Sequence, residues 1–407
     1  MSSSSPRTAM ARDSKKKKKK RLKGSPVSKL TDDILADIIS RVPYKSTCCC
    51  KCVSTRWRDL ISYQCRNKMP QSIVGFFYEG YNEFRSPKKA RYFTNLSRQR
   101  YPLVDPSLSF LPNCESLDIL DSCNGLLLCR CWKVTDPKTL DYVVCNPTTQ
   151  KLVAVPATDW SSMVSVARLG FDPAVSSHFH VFEFIDEESW GISEDELDGD
   201  CCGRIETLAI YSSKAGAWKY QTVEHGRFSI PKNSVSTFFN GILHLANLFE
   251  CIVAVDVEGA NWWLIDVPEL PYYADCIGGI FPSQGRLYFA DSDGSKLSIW
   301  VLEDYVTGKW TLKHNVSHLQ LFRTKYSSYV NNYEVISIHP EHSLVFIVGG
   351  VEKTLMSYDM DSRKLCFIRQ LGSECKLEWQ WWPECGKKAP PFYPHVPLFS
   401  ESLADEH

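Results

Sequence analysis

Between Leu30 and Ile61 the apolar residues fall at Ile34, Leu35, Ile38, Ile39 and Val42, a helical spacing that lays one stripe along about three turns. Thr31 or Asp32 can cap the start, and Asp32, Asp33 and Asp37 lie toward the positive end of the helix dipole. Pro43 ends the helix. Ser46 opens a second short helix predicted through Cys52. Ser54 opens a third, with Val53, Trp57, Leu60 and Ile61 on its apolar side. So small a unit builds little core of its own. Its stripe must bury against the rest of the chain or against a partner, and periodicity alone leaves both open.

From about Gln71 the helical period fades, and short runs rich in Val, Ile, Leu, Phe, Tyr and Trp replace it. Strands are predicted at Ser72–Tyr78, Gly125–Cys131, Tyr142–Cys145, His178–Ile185, Thr207–Tyr211 and Gly241–Ala246. Further ones follow at Ile252–Val257, Gly285–Ala290, Leu297–Leu302, Val335–Ile338 and Ser343–Val348. Turn residues such as Asn146-Pro147, Ala215-Gly216, Asp293-Gly294 and Thr307-Gly308 separate them. Strands at this spacing without long helices argue an all-β domain.

A repeat is visible. Gly-x-Leu followed by a bulky residue starts at Gly125, Gly241 and Gly285, the last two 44 residues apart. Gly170 falls 45 after Gly125 but opens Leu-Gly-Phe-Asp-Pro instead, and Gly75 lies 50 before Gly125. Gly216-Ala-Trp218 and Gly308-Lys-Trp310 each put a Trp just after a turn. These intervals match a four-stranded propeller blade and predict about six of them. An open run of β-meanders fits the same pattern but leaves sheet edges exposed, which closure removes.

Charge changes the picture locally. Lys and Arg number 47 and Asp and Glu 47, so no global field selects nucleic acid or membrane. Residues 1–23 nevertheless carry ten Lys or Arg and one Asp. Residues 1–27 read as a disordered basic tail, and Lys15, Lys16, Lys17, Lys18, Lys19, Lys20 and Arg21 form a nuclear-import candidate or a solvated tail. Glu183 to Asp200 carries nine carboxylates and no base, and reads as a solvated insertion or a charge-steered docking loop. No secretory signal pattern and no run of eighteen apolar residues is present, so nucleus, cytoplasm or both are expected, with no membrane span. The seventeen cysteines then read as reduced, mostly structural thiols. Cys50-x-Cys52, Cys129-x-Cys131 and Cys201-Cys202 lack the spacing of a zinc site.

Candidate chemistry is sparse. The chain has no G-x-S-x-G, P-loop or H-E-x-x-H. His339 and His342 share a Pro-containing turn, and His244 lies within a strand, where a hydrogen-bonded core imidazole is expected. No catalytic set, metal or cofactor is expected. Trp379, Trp381 and Trp382 sit in a polar, Pro-containing stretch, either packed on the last blade or forming a recognition patch.

Two resemblances complete the reading. Leu30, Asp32-Asp33-Ile34-Leu35, Ile38-Ile39, Arg41-Val42-Pro43, Lys45-Ser46, Lys51-Cys52-Val53-Ser54, Arg56-Trp57 and Leu60-Ile61 resemble the F-box. Thr31 replaces the usual Pro of that motif, and Thr47-Cys48-Cys49-Cys50 its Leu-rich segment. Asp121-Ser-Cys-Asn-Gly-Leu-Leu-Leu128, Val144-Cys-Asn-Pro-Thr-Thr149, Leu169-Gly-Phe-Asp-Pro173, Phe239-Asn-Gly-Ile-Leu-His244, Leu297-Ser-Ile-Trp-Val-Leu302 and Tyr393-Pro-His-Val-Pro397 are similar, in order, to the plant F-box-associated domain. What the resemblance implies is a small three-helix F-box (28–70) before an all-β, kelch-related, propeller-like domain of about six blades (71–378) and a C-terminal tail (379–407).

It further implies a non-catalytic substrate receptor of a Skp-cullin-F-box ubiquitin ligase. The F-box would bind a Skp-type adaptor through Leu30, Ile34, Leu35, Ile38, Ile39, Val42, Pro43, Val53 and Trp57. That adaptor bridges to cullin and RING subunits, while loops on one propeller face hold a target protein. One rival is an F-box scaffold outside the ligase. Another is a nuclear nucleic-acid-binding protein using the basic tail and the six Lys or Arg between Arg85 and Arg100.

Overall fold

The β-rich runs pair into six antiparallel blades. The computed structural model describes residues 30–40, 42, 46, 50, 52–61, 72–81, 89–97, 102–134, 139–186, 205–223, 230, 235–246, 251–268, 278–292, 295–322, 333–349, 353–371, 380–382, 386–388, 392–398 and 403.

Two helices are described in the N-terminal unit, α1 (Asp32–Ser40) and α2 (Thr55–Asp59). The expected second of three helices lies largely outside the described residues, as do Pro43 and the basic run Lys15–Arg21. The β-domain starts with β1 (Gly75–Tyr81) and β2 (Lys89–Asn95). The second blade is β3 (Ser116–Cys123), β4 (Leu126–Trp132), β5 (Leu140–Asn146) and β6 (Lys151–Val155). The third is β7 (Val166–Phe171), β8 (Phe179–Ile185), β9 (Thr207–Ser212) and β10 (Ala217–Thr222). The fourth is β11 (Ser236–Phe239), β12 (Ile242–Ala246), β13 (Cys251–Asp256) and β14 (Trp262–Asp266). The fifth is β15 (Gly279–Ser283), β16 (Arg286–Ser292), β17 (Lys296–Asp304) and β18 (Lys309–Ser317), followed by α3 (His318–Phe322). The sixth is β19 (Tyr333–Ile338), β20 (Leu344–Gly349), β21 (Thr354–Asp359) and β22 (Lys364–Gln370). After a hairpin of β23 (Gln380–Trp382) and β24 (Gly386–Lys388) comes β25 (Tyr393–His395).

β25 pairs with β1, so the first blade is completed from the end of the chain in the order β2-β1-β25. A tail beginning at 379 therefore cuts through the fold. Tyr393 donates its hydroxyl to the Ile119 carbonyl at 2.6 Å, and His395 Nε2 meets the Thr148 hydroxyl at 3.1 Å. Asn146 donates to the Leu398 carbonyl at 2.7 Å. These bonds fasten the closing segment to the second blade.

The core lies between blades. Six apolar clusters fill the six junctions. Neighbouring residues of one strand serve different junctions: Phe76 and Tyr78 face the sixth blade, Phe77 the second. Leu126 and Leu128 face the third blade, while Leu127 and Cys129 face the first. Both faces of a blade are thus covered, and the middle strands read as unbroken apolar runs although their side chains alternate. Only outermost strands such as β10 and β22 are largely exposed.

The Gly-x-Leu repeat has a backbone cause. Asn124-Gly125, Asn240-Gly241 and Gln284-Gly285 all have positive φ at both positions, from 47° to 93°, as two-residue turns of the I′ kind require. They join the first and second strands of their blades. Gly170 is different: it lies inside β7, where a Cβ would sit 2.8 Å from ring atoms of Phe182 and Phe238. Its place in the numerical period is therefore coincidence. The Trp rhythm is an inter-blade staple. Trp218 donates its indole N–H to the Pro156 carbonyl at 2.7 Å, and Trp310 to the Asp266 carbonyl at 2.8 Å, each reaching the preceding blade.

A second repeat escapes the glycine count. In the turns between third and fourth strands, Asn146, Asp304 and Asp359 each accept two backbone N–H groups, and the residues four positions on have φ of 59° (Gln150), 62° (Gly308) and 53° (Arg363).

Replacing Tyr393 by Phe keeps the buried ring but removes the bond across the closure. The expected loss is about 1–2 kcal/mol of unfolding free energy, read from urea midpoints. An unchanged midpoint would deny that bond a role in closure.

Candidate functional site

Three places carry the chemistry relevant to function: the N-terminal helical surface, the first strands of the propeller blades, and the two faces of the propeller.

In the helical unit the predicted stripe is split. Leu35 and Ile39, one turn apart, are each 1% exposed and pack with Ala36, Leu60 and Ile61. Ile34 and Ile38, rotated by one residue, are 51% and 48% exposed, and Val53 is 62% exposed. Leu30 and Trp57 pack partly against the small core, and Val42 is half-buried. A stripe formed by adjacent pairs is wide, and so few helices cover only one edge of it. The correction is that Leu35 and Ile39 hold the unit together and present no surface, whereas Ile34, Ile38 and Val53 do. Among the described residues, the cluster contains none of the β-domain. Thr31 begins α1, its carbonyl accepting the Leu35 N–H at 3.0 Å. Ser54 caps α2 by accepting the Trp57 N–H at 3.2 Å. Arg56 joins the two helices, pairing with Asp32 at 2.7 Å and donating to the Leu30 carbonyl.

In the β-domain, charged side chains are buried on the first strands of the blades. Asp121 on β3 accepts the Leu169 N–H from β7 at 2.8 Å and the Ser236 hydroxyl from β11 at 3.1 Å. Arg168 on β7 is also buried, and its charge acts on Asp121. Burial raises the Asp121 carboxyl to about 6, against the lowering effects of Arg168 and the hydrogen bonds. Three blades thus meet on one carboxylate. Arg168, the one charge within the otherwise apolar β7, was the available signal, since such a charge is buried only with partners.

Glu183 shows the same logic. Within the acidic tract it is a fully buried residue of β8, accepting the Ser161 hydroxyl and, at 2.8 Å, the Thr158 hydroxyl. Burial raises its pKa, opposed by those hydroxyls, by Tyr142 and by Arg130. Asp186 is buried as well. The solvated reading fails for these two residues; 187–200 lies outside the described residues.

The histidines are structural where described. His244 Nδ1 faces the Thr237 carbonyl at 3.2 Å and its Nε2 the Tyr305 hydroxyl at 3.0 Å. His339 Nδ1 accepts the Glu341 and His342 N–H groups. Among the described residues no three His, Cys, Asp or Glu side chains gather as a metal site. Arg91, within the basic stretch of the nucleic-acid reading, donates to the Leu117 and Ser107 carbonyls and so serves the fold. The side chains of Trp379, Trp381 and Trp382 lie outside the described residues.

The antiparallel order gives the propeller two unlike faces. Turns between first and second and between third and fourth strands share one face and are mostly tight. Connections between second and third strands and from blade to blade share the other. No described helix is long and apolar enough to cross a membrane.

The structure is thus a six-bladed propeller preceded by a helical unit that exposes Ile34, Ile38 and Val53. Comparison with known proteins agrees. Residues 82–369 match the F-box associated beta propeller domain and residues 27–69 the F-box domain. The chain belongs to the F-box associated beta propeller family, as a plant-type F-box protein. It is 25% identical over 378 residues to F-box protein At5g07610 of Arabidopsis thaliana, covering 84% of this chain and 86% of that one. It is 24% identical over 373 residues to the putative F-box/kelch-repeat protein At1g15680 of the same plant, covering 83% and 82%.

Two outcomes follow for the buried charges. Asp121→Ala strands Arg168 and three hydrogen-bond donors, the Ser122 and Leu169 N–H groups and the Ser236 hydroxyl, so a loss of about 3–5 kcal/mol is expected in urea unfolding; a loss under about 1 kcal/mol would deny Asp121 a part in joining the blades. For pH, burial lowers His244 and His395 from 6.5 to about 4. The unfolded chain then takes up protons first, so stability falls as pH drops from 6.5 toward 4, by up to about 1.4 kcal/mol per pH unit for each histidine. Asp121 acts oppositely between about 6 and 3.8, because there the folded state holds the extra proton. The His244→Gln variant should show a shallower fall in urea midpoint between pH 6.5 and 5 than the parent; an identical slope would remove His244 from this account.

Proposed function

We propose that the protein is the substrate-recognition subunit of a Skp-cullin-F-box ubiquitin ligase and does no chemistry itself. Ile34, Ile38 and Val53, with the accessible parts of Leu30, Val42 and Trp57, dock on a Skp-type adaptor. The adaptor connects to cullin and RING subunits, and the loop-bearing face of the propeller holds a target protein. Holding both raises the effective concentration of target lysines near the ubiquitin-conjugating enzyme.

One observation carries this reading: the helical unit completes its own core with Leu35, Ile39, Leu60 and Ile61 and still leaves three large apolar side chains uncovered. An intramolecular cap would spend those side chains on the β-domain. The F-box match points the same way. Recognition is assigned to the loop-bearing face because loops positioned by a rigid scaffold serve as contact surfaces.

The test is binding to a purified Skp-type adaptor by calorimetry. An Ile34→Asp, Ile38→Asp variant should stay folded and weaken binding at least about a hundredfold, the loss expected when interface anchors are removed. Leu35→Asp should instead unfold the helical unit, because it puts a charge in the core. A folded parent that does not bind the adaptor would overturn the ligase reading and leave the scaffold role.

A further inference from the structure

Four cysteines gather in the second blade as two pairs. Cys129 on β4 and Cys145 on β5 are fully buried, with a thiol–thiol hydrogen bond between them. The register sets Cys129 opposite Val143 and Cys145 opposite Leu127, so these two are diagonal neighbours on one sheet face. Cys131, two residues on, is also buried, and Cys114 packs against the cluster it belongs to, close enough for the two thiols to influence each other. Cys114 lies just before β3, where the Glu115 N–H binds the Trp132 carbonyl at 2.8 Å and Ser116 pairs with Trp132. It packs on the cluster that contains Cys131 yet remains part-exposed. All four are free thiols.

Two pairs of the same chemistry thus differ in access. Susceptibility to oxidation follows exposure and thiolate character. Cys129 and Cys145 are sealed, and the adjacent Cys145 thiol together with burial pushes the Cys129 thiol up. Cys131 is covered but touches the one member of the group that solvent reaches.

We propose that Cys114 and Cys131 form a redox-modifiable pair, closed to a disulfide by a hydroperoxide. The Cys114 sulfur attacks the peroxide, the O–O bond breaks, and Cys114 becomes a sulfenic acid as one water or alcohol leaves. The Cys131 sulfur then attacks the Cys114 sulfur, the S–O bond breaks, and the departing hydroxide takes the Cys131 proton as water. Two electrons pass from the thiols to the peroxide. The bond ties the segment that crosses from the first blade to the second onto β4. β3 starts and β4 ends on the loop-bearing face, so the latch sits on the face that carries the blade-to-blade connections. The chemistry is independent of the ligase reading.

The test uses the full-length reduced protein and hydrogen peroxide, followed by alkylation and non-reducing peptide mapping by mass spectrometry. Expected are a Cys114–Cys131 cross-link reversed by a dithiol, with Cys129 and Cys145 recovered as thiols. In the Cys114→Ser variant, loss of the Cys131 thiol should slow by on the order of tenfold or more, because its route through an accessible sulfur is gone. Recovery of Cys114 as a sulfinic acid without a cross-link, or oxidation of Cys131 at the parent rate in Cys114→Ser, would overturn the proposal. The first readout needs no substitution, so it stands even if a variant folds poorly.

Discussion

The pairing of β25 with β1 is the constraint on which the rest depends. A propeller has no central core to collapse on. Each blade is stabilised by its two neighbours, and a gap anywhere would expose two apolar faces. Here the gap is closed by three residues from the far end of the chain, reinforced by Tyr393 and His395 reaching the second blade. These contacts join residues more than two hundred positions apart, so their entropy of closure is met only when all blades are in place.

Closure has a consequence for function. With the inner strands brought together, Asp121 takes the Ser236 hydroxyl and feels the Arg168 charge, so one carboxylate links three blades. Glu183 does comparable work between the second and third blades, pinning the blade-to-blade connection at Thr158 and Ser161. The helical unit obeys a different economy. It uses Leu35 and Ile39 to exist and keeps Ile34 and Ile38 at its surface.

Much was legible in the sequence. Strand runs, turn residues and the Gly-x-Leu interval determined an all-β chain of repeated units, because local backbone demands such as positive φ at Asn240-Gly241 leave a direct trace in residue type. The helical spacing from Ile34 to Val42 and the capping serine at 54 were equally local. What only the tertiary structure decided were assignments that depend on what lies opposite. Periodicity cannot say which edge of an apolar stripe turns inward, whether Glu183 belongs to a solvated tract or a strand, or that the segment at Tyr393 is a strand of the first blade. Those outcomes follow from burial against residues distant in sequence, and burial is a property of the closed ring rather than of any stretch within it.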